Sequence, residues 1–232
     1  MLRIEDIHVY YGESYVLQGV DLHVEKGEIV CLLGRNGAGK TTTMKSVIGY
    51  NPPRRGKIYL EDDVISGRPV YENVRLGIGY VPEDRRIFPL LTVEENIEVA
   101  LLPPREGFTP WTPERIFDEF PLLAKLKKRL GGELSGGEQQ VLAIARALAG
   151  NPKFLLLDEP CEGLAPVVVE MLGEIITGLS KEITILMAEQ NARFALQISV
   201  RGYVIDKGRV CYEGTSQELV ANEEIQCRYL AV

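Results

Sequence analysis

Residues 28–50, "EIVCLLGRNGAGKTTTMKSVIGY", decide the fold. An apolar run from Ile29 to Leu33 stops at a segment with glycine at 34, 37 and 39, and a helix-forming stretch begins at Lys40. Gly34 to Thr41 fits G-x-x-x-x-G-K-[ST], preceded by a strand and opening a helix, which is the context this motif requires. The glycines let the backbone turn with its N–H groups inward, and those amides, with the helix N-terminus, wrap the β- and γ-phosphates of a nucleoside triphosphate. Gly34, Arg35, Asn36, Gly37, Ala38, Gly39, Lys40, Thr41 and Thr42 make up this cradle. Lys40 adds a point charge on the same oxygens, and the Thr41 hydroxyl is placed to ligand Mg²⁺.

A second half of the site stands more than a hundred residues on. "KFLLLDEP", residues 153–160, is a short all-apolar strand of the buried parallel type that ends in two carboxylates. At a strand end Asp158 can hold magnesium, directly or through water, and Glu159 beside it is suited to act as base or polariser for an attacking water.

The rest of the chain places these motifs. Residues 1–30 alternate in the strand manner with turns at Gly12, Gly19 and Gly27, and "NPPRRGKIYLEDDVI" gives a turn and a short strand. From about Thr92 to Gly150 the pattern becomes helical, with a capping box at Thr92 and Glu95 and one long helix over "TPERIFDEFPLLAKLKKRL". A helix over about 166–180, a strand "ITILMAEQ", a helix "ARFALQIS" and closing strands "RGYVIDKGRVCYEG" follow. The expected fold is an α/β P-loop NTPase: a mostly parallel sheet, an antiparallel N-terminal part, and an inserted helical subdomain. One domain is expected over 1–232, with its core at about 1–90 and 151–232 and the helical part at about 91–150.

With 26 basic and 33 acidic residues the formal net charge is -7, which disfavours blanket binding to a phosphate backbone, so no nucleic-acid partner is expected. The four cysteines are scattered and form no CxxC pair, as in a reducing compartment. No secretory leader is evident, and no apolar run approaches the ~18 residues that cross a bilayer, so any membrane span is expected from another chain.

"ELSGGEQQVLAIARAL", residues 133–148, adds a second apparent phosphate cradle. Ser135 and Glu138 form an S-x-x-E box at the start of a helix whose apolar stripe is Val141, Ile144, Ala145 and Leu148. Gly136 and Gly137 in its first turn each cost roughly 1 kcal/mol against alanine, a choice that makes sense if something approaches the backbone closely.

"GRNGAGKTT", "LSGGEQQ" and "FLLLDEP", in this order and spacing, resemble the nucleotide-binding subunits of ABC transporters over essentially the whole chain. The resemblance implies that Ser135, Gly136, Gly137 and Glu138 close over ATP held by the phosphate loop of an opposing subunit. It also implies an adenine-stacking ring at Tyr11 with Val16 nearby, and a lobe-joining loop "YVPEDRRIFPLLTVEEN" that faces membrane subunits. Three positions depart from the family pattern. Glu83 replaces a glutamine that reaches the metal and remains an oxygen ligand. Gln190 replaces a switch histidine, and can position the γ-phosphate but cannot titrate near neutrality. Ala165 replaces an interface aspartate.

"VPEDRRIFPLLTVEENI", "EGLAP" and "AEQNARFAL" resemble more closely the LivF type of branched-chain amino-acid importers, or the related urea and amide importers. The implied assembly is this chain and a second ATPase chain, different or identical, beneath two integral membrane permeases fed by a periplasmic binding protein. The implied location is the cytoplasmic face of the cell membrane. A soluble ABC-type ATPase acting on nucleic acid or ribosomes, and a P-loop small-molecule kinase, are the competing readings. The first conflicts with the acidic charge, and the second has no use for "LSGGEQQ".

Overall fold

Strand β3 (Ile29–Leu33) is apolar throughout and buried at every residue, because it has a parallel strand on either side and a layer on each face. The computed structural model describes residues 1–225 and 227. Among these the strands form two sheets. The larger runs β10 (Arg209–Thr215), β9 (Arg201–Asp206), β3, β8 (Thr184–Glu189), β7 (Phe154–Asp158), β6 (Ile78–Val81); it is parallel except at the β9–β10 edge. The smaller is antiparallel: β2 (Ser14–Val24), β1 (Leu2–Tyr11), β4 (Arg55–Leu60), β5 (Asp63–Val64).

Successive residues of β3 point to opposite cores. Val30 and Leu32 pack toward the antiparallel sheet, with Ile4, Val20 and Leu22 and with Met44 and Val47 of helix α1 (Lys40–Ile48). Ile29, Cys31 and Leu33 face the other way, into a core that also holds buried residues of the later helices. Fully burying side chains such as Leu155 and Ile185 contributes about 1.5–3 kcal/mol each.

Two short elements follow the antiparallel sheet, α2 (Val70–Leu76) and β6, neither of which the sequence pattern announced. Between β6 and β7 come α3 (Val93–Glu98), α4 (Pro113–Glu119), α5 (Pro121–Lys125), a 3₁₀ turn and α6 (Gly136–Ala149). The Thr92–Glu95 box caps α3 in both directions. The single helix expected over 112–130 is two: Pro121 cannot donate its N–H and clashes with the preceding turn, so Phe120 leaves the helix at φ −121 and ψ 74. Helix α7 (Pro166–Leu179), α8 (Ala192–Ile198) and α9 (Ser216–Ala221) complete that face. No helix among the described residues is long and apolar enough to cross a membrane.

Candidate active site

The phosphate loop joins β3 to α1 at the carboxyl ends of the parallel strands, where open α/β sheets bind ligands. Gly39 caps α1 at φ 116, a backbone region that side-chain-bearing residues avoid. Gly34 answers a different need: a Cβ there would meet the Ile205 carbonyl oxygen at 2.4 Å. Arg35, Asn36 and Gly37 are exposed at the tip, while Ala38 and Thr42 are buried beneath it.

Lys40 is 3% exposed. Its Nζ donates to the Gly34 carbonyl at 2.7 Å and the Arg35 carbonyl at 3.1 Å, and lies 2.9 Å from Glu159 Oε1. Thr41 Oγ1 donates to Asp158 Oδ1 at 3.0 Å, and Tyr80 donates to Oδ2 of the same carboxylate at 3.0 Å. Burial pushes the Asp158 carboxyl above its ordinary range, and the bonds from Tyr80 and Thr41 pull back. Burial next to Asp158 pushes the Tyr80 phenol far up, so it remains a donor.

Glu159 turns away from the end of β7 at φ 49, a left-handed conformation uncommon for anything but glycine, asparagine or aspartate. Its N–H donates to Ala188 on β8 at 2.9 Å, and the turn closes through Glu162 N–H to the Glu159 carbonyl at 3.1 Å. A cavity of about 320 Å³ opens among Val16, Asn36, Gly37, Gly39, Lys40, Thr41, Thr42, Glu83, Glu159 and Glu162. Burial and a hydrogen bond with Glu83 raise the Glu162 carboxyl.

The structure therefore brings together the phosphate loop, Val16, Glu83, Asp158 and Glu159. Tyr11 is about half exposed at the end of β1 and does not line the cavity. Gln190 is exposed just past β8, the strand between β3 and β7. None of Ser135, Gly136, Gly137 and Glu138 lines this cavity. Ser135 caps α6, with its N–H 2.7 Å from Glu138 Oε2 and its Oγ accepting from Glu138 N–H at 3.4 Å. The close approach foreseen at the paired glycines has an intramolecular component: a Cβ on Gly137 would meet Val168 Cγ1 of α7 at 2.8 Å.

Tyr80 and Glu162 were not foreseen. Finding Tyr80 requires knowing that the four-residue strand β6 pairs with β7, where Tyr80 is opposite Leu156. The signal for Glu162 was its place three residues after Glu159 on the same turn.

A family model described as ABC transporter matches residues 17–162, well over half of the chain. This protein belongs to the ABC transporter family. As an ABC ATPase it hydrolyses ATP, the reaction of the ATP-hydrolysing subunit of such transporters. Over 231 residues this ABC ATPase is 39% identical to the high-affinity branched-chain amino acid transport ATP-binding protein BraG of Pseudomonas aeruginosa, covering 99% of each. Over 234 residues it is 40% identical to the lipopolysaccharide export system ATP-binding protein LptB of Escherichia coli, covering 99% of this chain and 96% of that one. Among solved structures, the ATP-binding cassette MJ0796, dimeric in a post-hydrolysis state with ADP and Pi, matches with a TM-score of 0.81 at 27% identity, over 93% of this chain and 99% of that chain.

Proposed function

We propose that this chain is the motor subunit of an importer for hydrophobic, branched-chain amino acids. One observation carries the mechanistic part: Lys40, Thr41, Asp158 and Glu159 converge on one side of an open cavity, while the serine-capped, glycine-bearing start of α6 lies elsewhere on the same chain. Two copies, or this chain and a different ATPase, then face each other head to tail, so that Ser135 to Glu138 of one closes over ATP held by the other. The dimeric state of the MJ0796 cassette supports that arrangement. Permeases in the cell membrane supply the path for cargo, a periplasmic binding protein feeds them, and the ATPase is peripheral on the cytoplasmic face. In this reading the chain is one ATPase domain with its helical part at about 91–150.

The loop amides and Lys40 hold the terminal phosphates and offset their charge as the bond to the γ-phosphorus changes hands. Glu159 takes the proton of the attacking water. Gln190 positions the γ-phosphate by donating a hydrogen bond, and Tyr11 with Val16 supports the adenine. Thr41, Asp158 and Glu83 offer only hard oxygen donors, and the first two are already 3.0 Å apart, so the set fits Mg²⁺. When bound, that ion supplies charge neutralisation for the triphosphate.

BraG, at 39% identity, supports branched-chain amino-acid transport; LptB, at 40%, favours lipopolysaccharide export as the second reading. The experiment is ATP turnover by the chain reconstituted with its co-purifying permeases. Stimulation by a binding protein loaded with a branched-chain amino acid is expected. Stimulation by urea- or amide-loaded protein instead moves the cargo to that class, and stimulation by lipopolysaccharide alone refutes import.

A further inference from the structure

Glu189 closes β8, opposite Leu33 in the register with β3, and is only 2% exposed. A buried carboxylate is costly unless its oxygens are satisfied. Here they accept from backbone groups of two different loops: Oε1 from Cys161 N–H at 3.1 Å, and Oε2 from Asn191 N–H at 3.2 Å. Cys161 lies two residues beyond Glu159, and Asn191 directly follows Gln190. The neighbouring residue of β8, Ala188, already holds the Glu159 N–H through its carbonyl. The end of β8 thus grips the Glu159 turn at two successive residues, and the second of them also holds the Gln190 loop. Capping of α8 does not require Glu189, since the Asn191 side chain accepts from Phe194 N–H at 3.1 Å. The groups that face this carboxylate electrostatically are Glu159 and the thiols of Cys161 and Cys31.

We propose that Glu189 is a positioning residue for hydrolysis, one buried carboxylate that fastens the turn bearing Glu159 to the loop bearing Gln190. It rests on the reading of Glu159 as the group that activates water. Glu189 itself does not line the phosphate cavity, so it acts through the two loops it holds, and its loss is expected to fall far more heavily on the chemical step than on the hold on nucleotide.

The test compares wild type, Glu189→Ala, Glu189→Gln and Glu159→Gln, each as the full chain in its permease complex, for kcat, KM and affinity for a non-hydrolysed ATP analogue. Alanine leaves two donors without their acceptor, and at least a tenfold loss of kcat is expected with analogue affinity within about twofold of wild type. Glutamine keeps one acceptor oxygen at the same volume, so a smaller loss, a partial rescue relative to alanine, is expected. Wild-type kcat in a folded Glu189→Ala complex overturns the proposal. A fall in affinity that matches the fall in kcat also overturns it, because that marks general loosening of the fold. Should the alanine variant not fold, Glu189→Gln decides: reduced kcat at preserved affinity supports the coupling, and unchanged kcat defeats it. Full turnover in Glu159→Gln removes the reading of Glu159 as base, while the Glu189 series is still judged against wild type.

Discussion

Replacing Glu159 by glutamine tests the site at its most loaded contact, and the structure predicts two effects of opposite sign. Glu159 Oε1 is 2.9 Å from Lys40 Nζ, and both side chains are at most 9% exposed. At that separation, with an effective dielectric constant of about 20, a carboxylate attracts the ammonium by roughly 6 kcal/mol before desolvation. Much of this is cancelled by the cost of taking two ions out of water. A phosphate oxygen arriving at Lys40 competes with the remainder, and meets a second negative charge as it does so. Glutamine has the same size and still offers Lys40 an oxygen, but carries no charge. Nucleotide affinity is therefore expected to rise by about 1–2 kcal/mol, five- to thirtyfold. Turnover is expected to fall 10²–10⁴-fold with the loss of the proton acceptor, a barrier increase of about 2.7–5.4 kcal/mol. Titration with a fluorescent ATP analogue and phosphate release under saturating Mg-ATP measure the two quantities separately. Turnover within tenfold of wild type, or weaker nucleotide binding, refutes this account of the Lys40–Glu159 pair.

Burial pushes the Glu189 carboxyl up to about 6 from an ordinary 4.5, so turnover should decline as pH falls through about 6 and this carboxylate stops accepting two hydrogen bonds. Because the folded value is raised, the residue's contribution to stability moves the other way, growing by about 2 kcal/mol as pH drops from above 6 towards 4.5. Glu189→Gln should flatten both trends, in a pH–rate profile and in Tm against pH; unchanged slopes count against it. Gly137→Ala should cost about 1–3 kcal/mol through the clash with Val168, and adding Val168→Ala should restore most of the Tm; a double variant no better than the single rules the clash out. Ser135→Ala removes the Oγ half of the box capping α6 and should cost about 1 kcal/mol in urea denaturation, with a larger loss of turnover if the same residue serves a partner's ATP. Tyr80→Phe removes one of the two donors that orient Asp158 and should raise the Mg²⁺ concentration for half-maximal turnover several-fold; an unchanged Mg²⁺ curve excludes an orienting role.

The phosphate loop could be located from sequence because three local signals agree there: an all-apolar strand, glycines at set intervals, and a helix start. The capping boxes at Thr92 and Ser135 were legible for a similar reason, since each pairs a hydroxyl with a carboxylate three residues on. Helix α2 lacked such punctuation: Pro69 precedes it with no side-chain cap, and Asn73 is its one fully buried residue. Strand β6 is four residues long and includes Gly79, too short for alternation to show. Pro121 was in view and should have split the helix expected there. What no local pattern contains is adjacency, and so the Tyr80–Asp158 bond and the reach of Glu189 to Cys161 appear only once β6, β7 and β8 lie side by side, and the Val168 contact behind Gly137 only once α6 meets α7.

The left-handed backbone at Glu159 has a consequence for how this protein tolerates change. Glycine at that position would relieve roughly 1 kcal/mol of conformational cost, but it would abolish the proton acceptor and strip the buried Lys40 of its counter-ion, a loss of about 3–5 kcal/mol. Endurance to heat and catalytic use therefore favour the same side chain here, and a lineage that abandons this glutamate should lose on both counts.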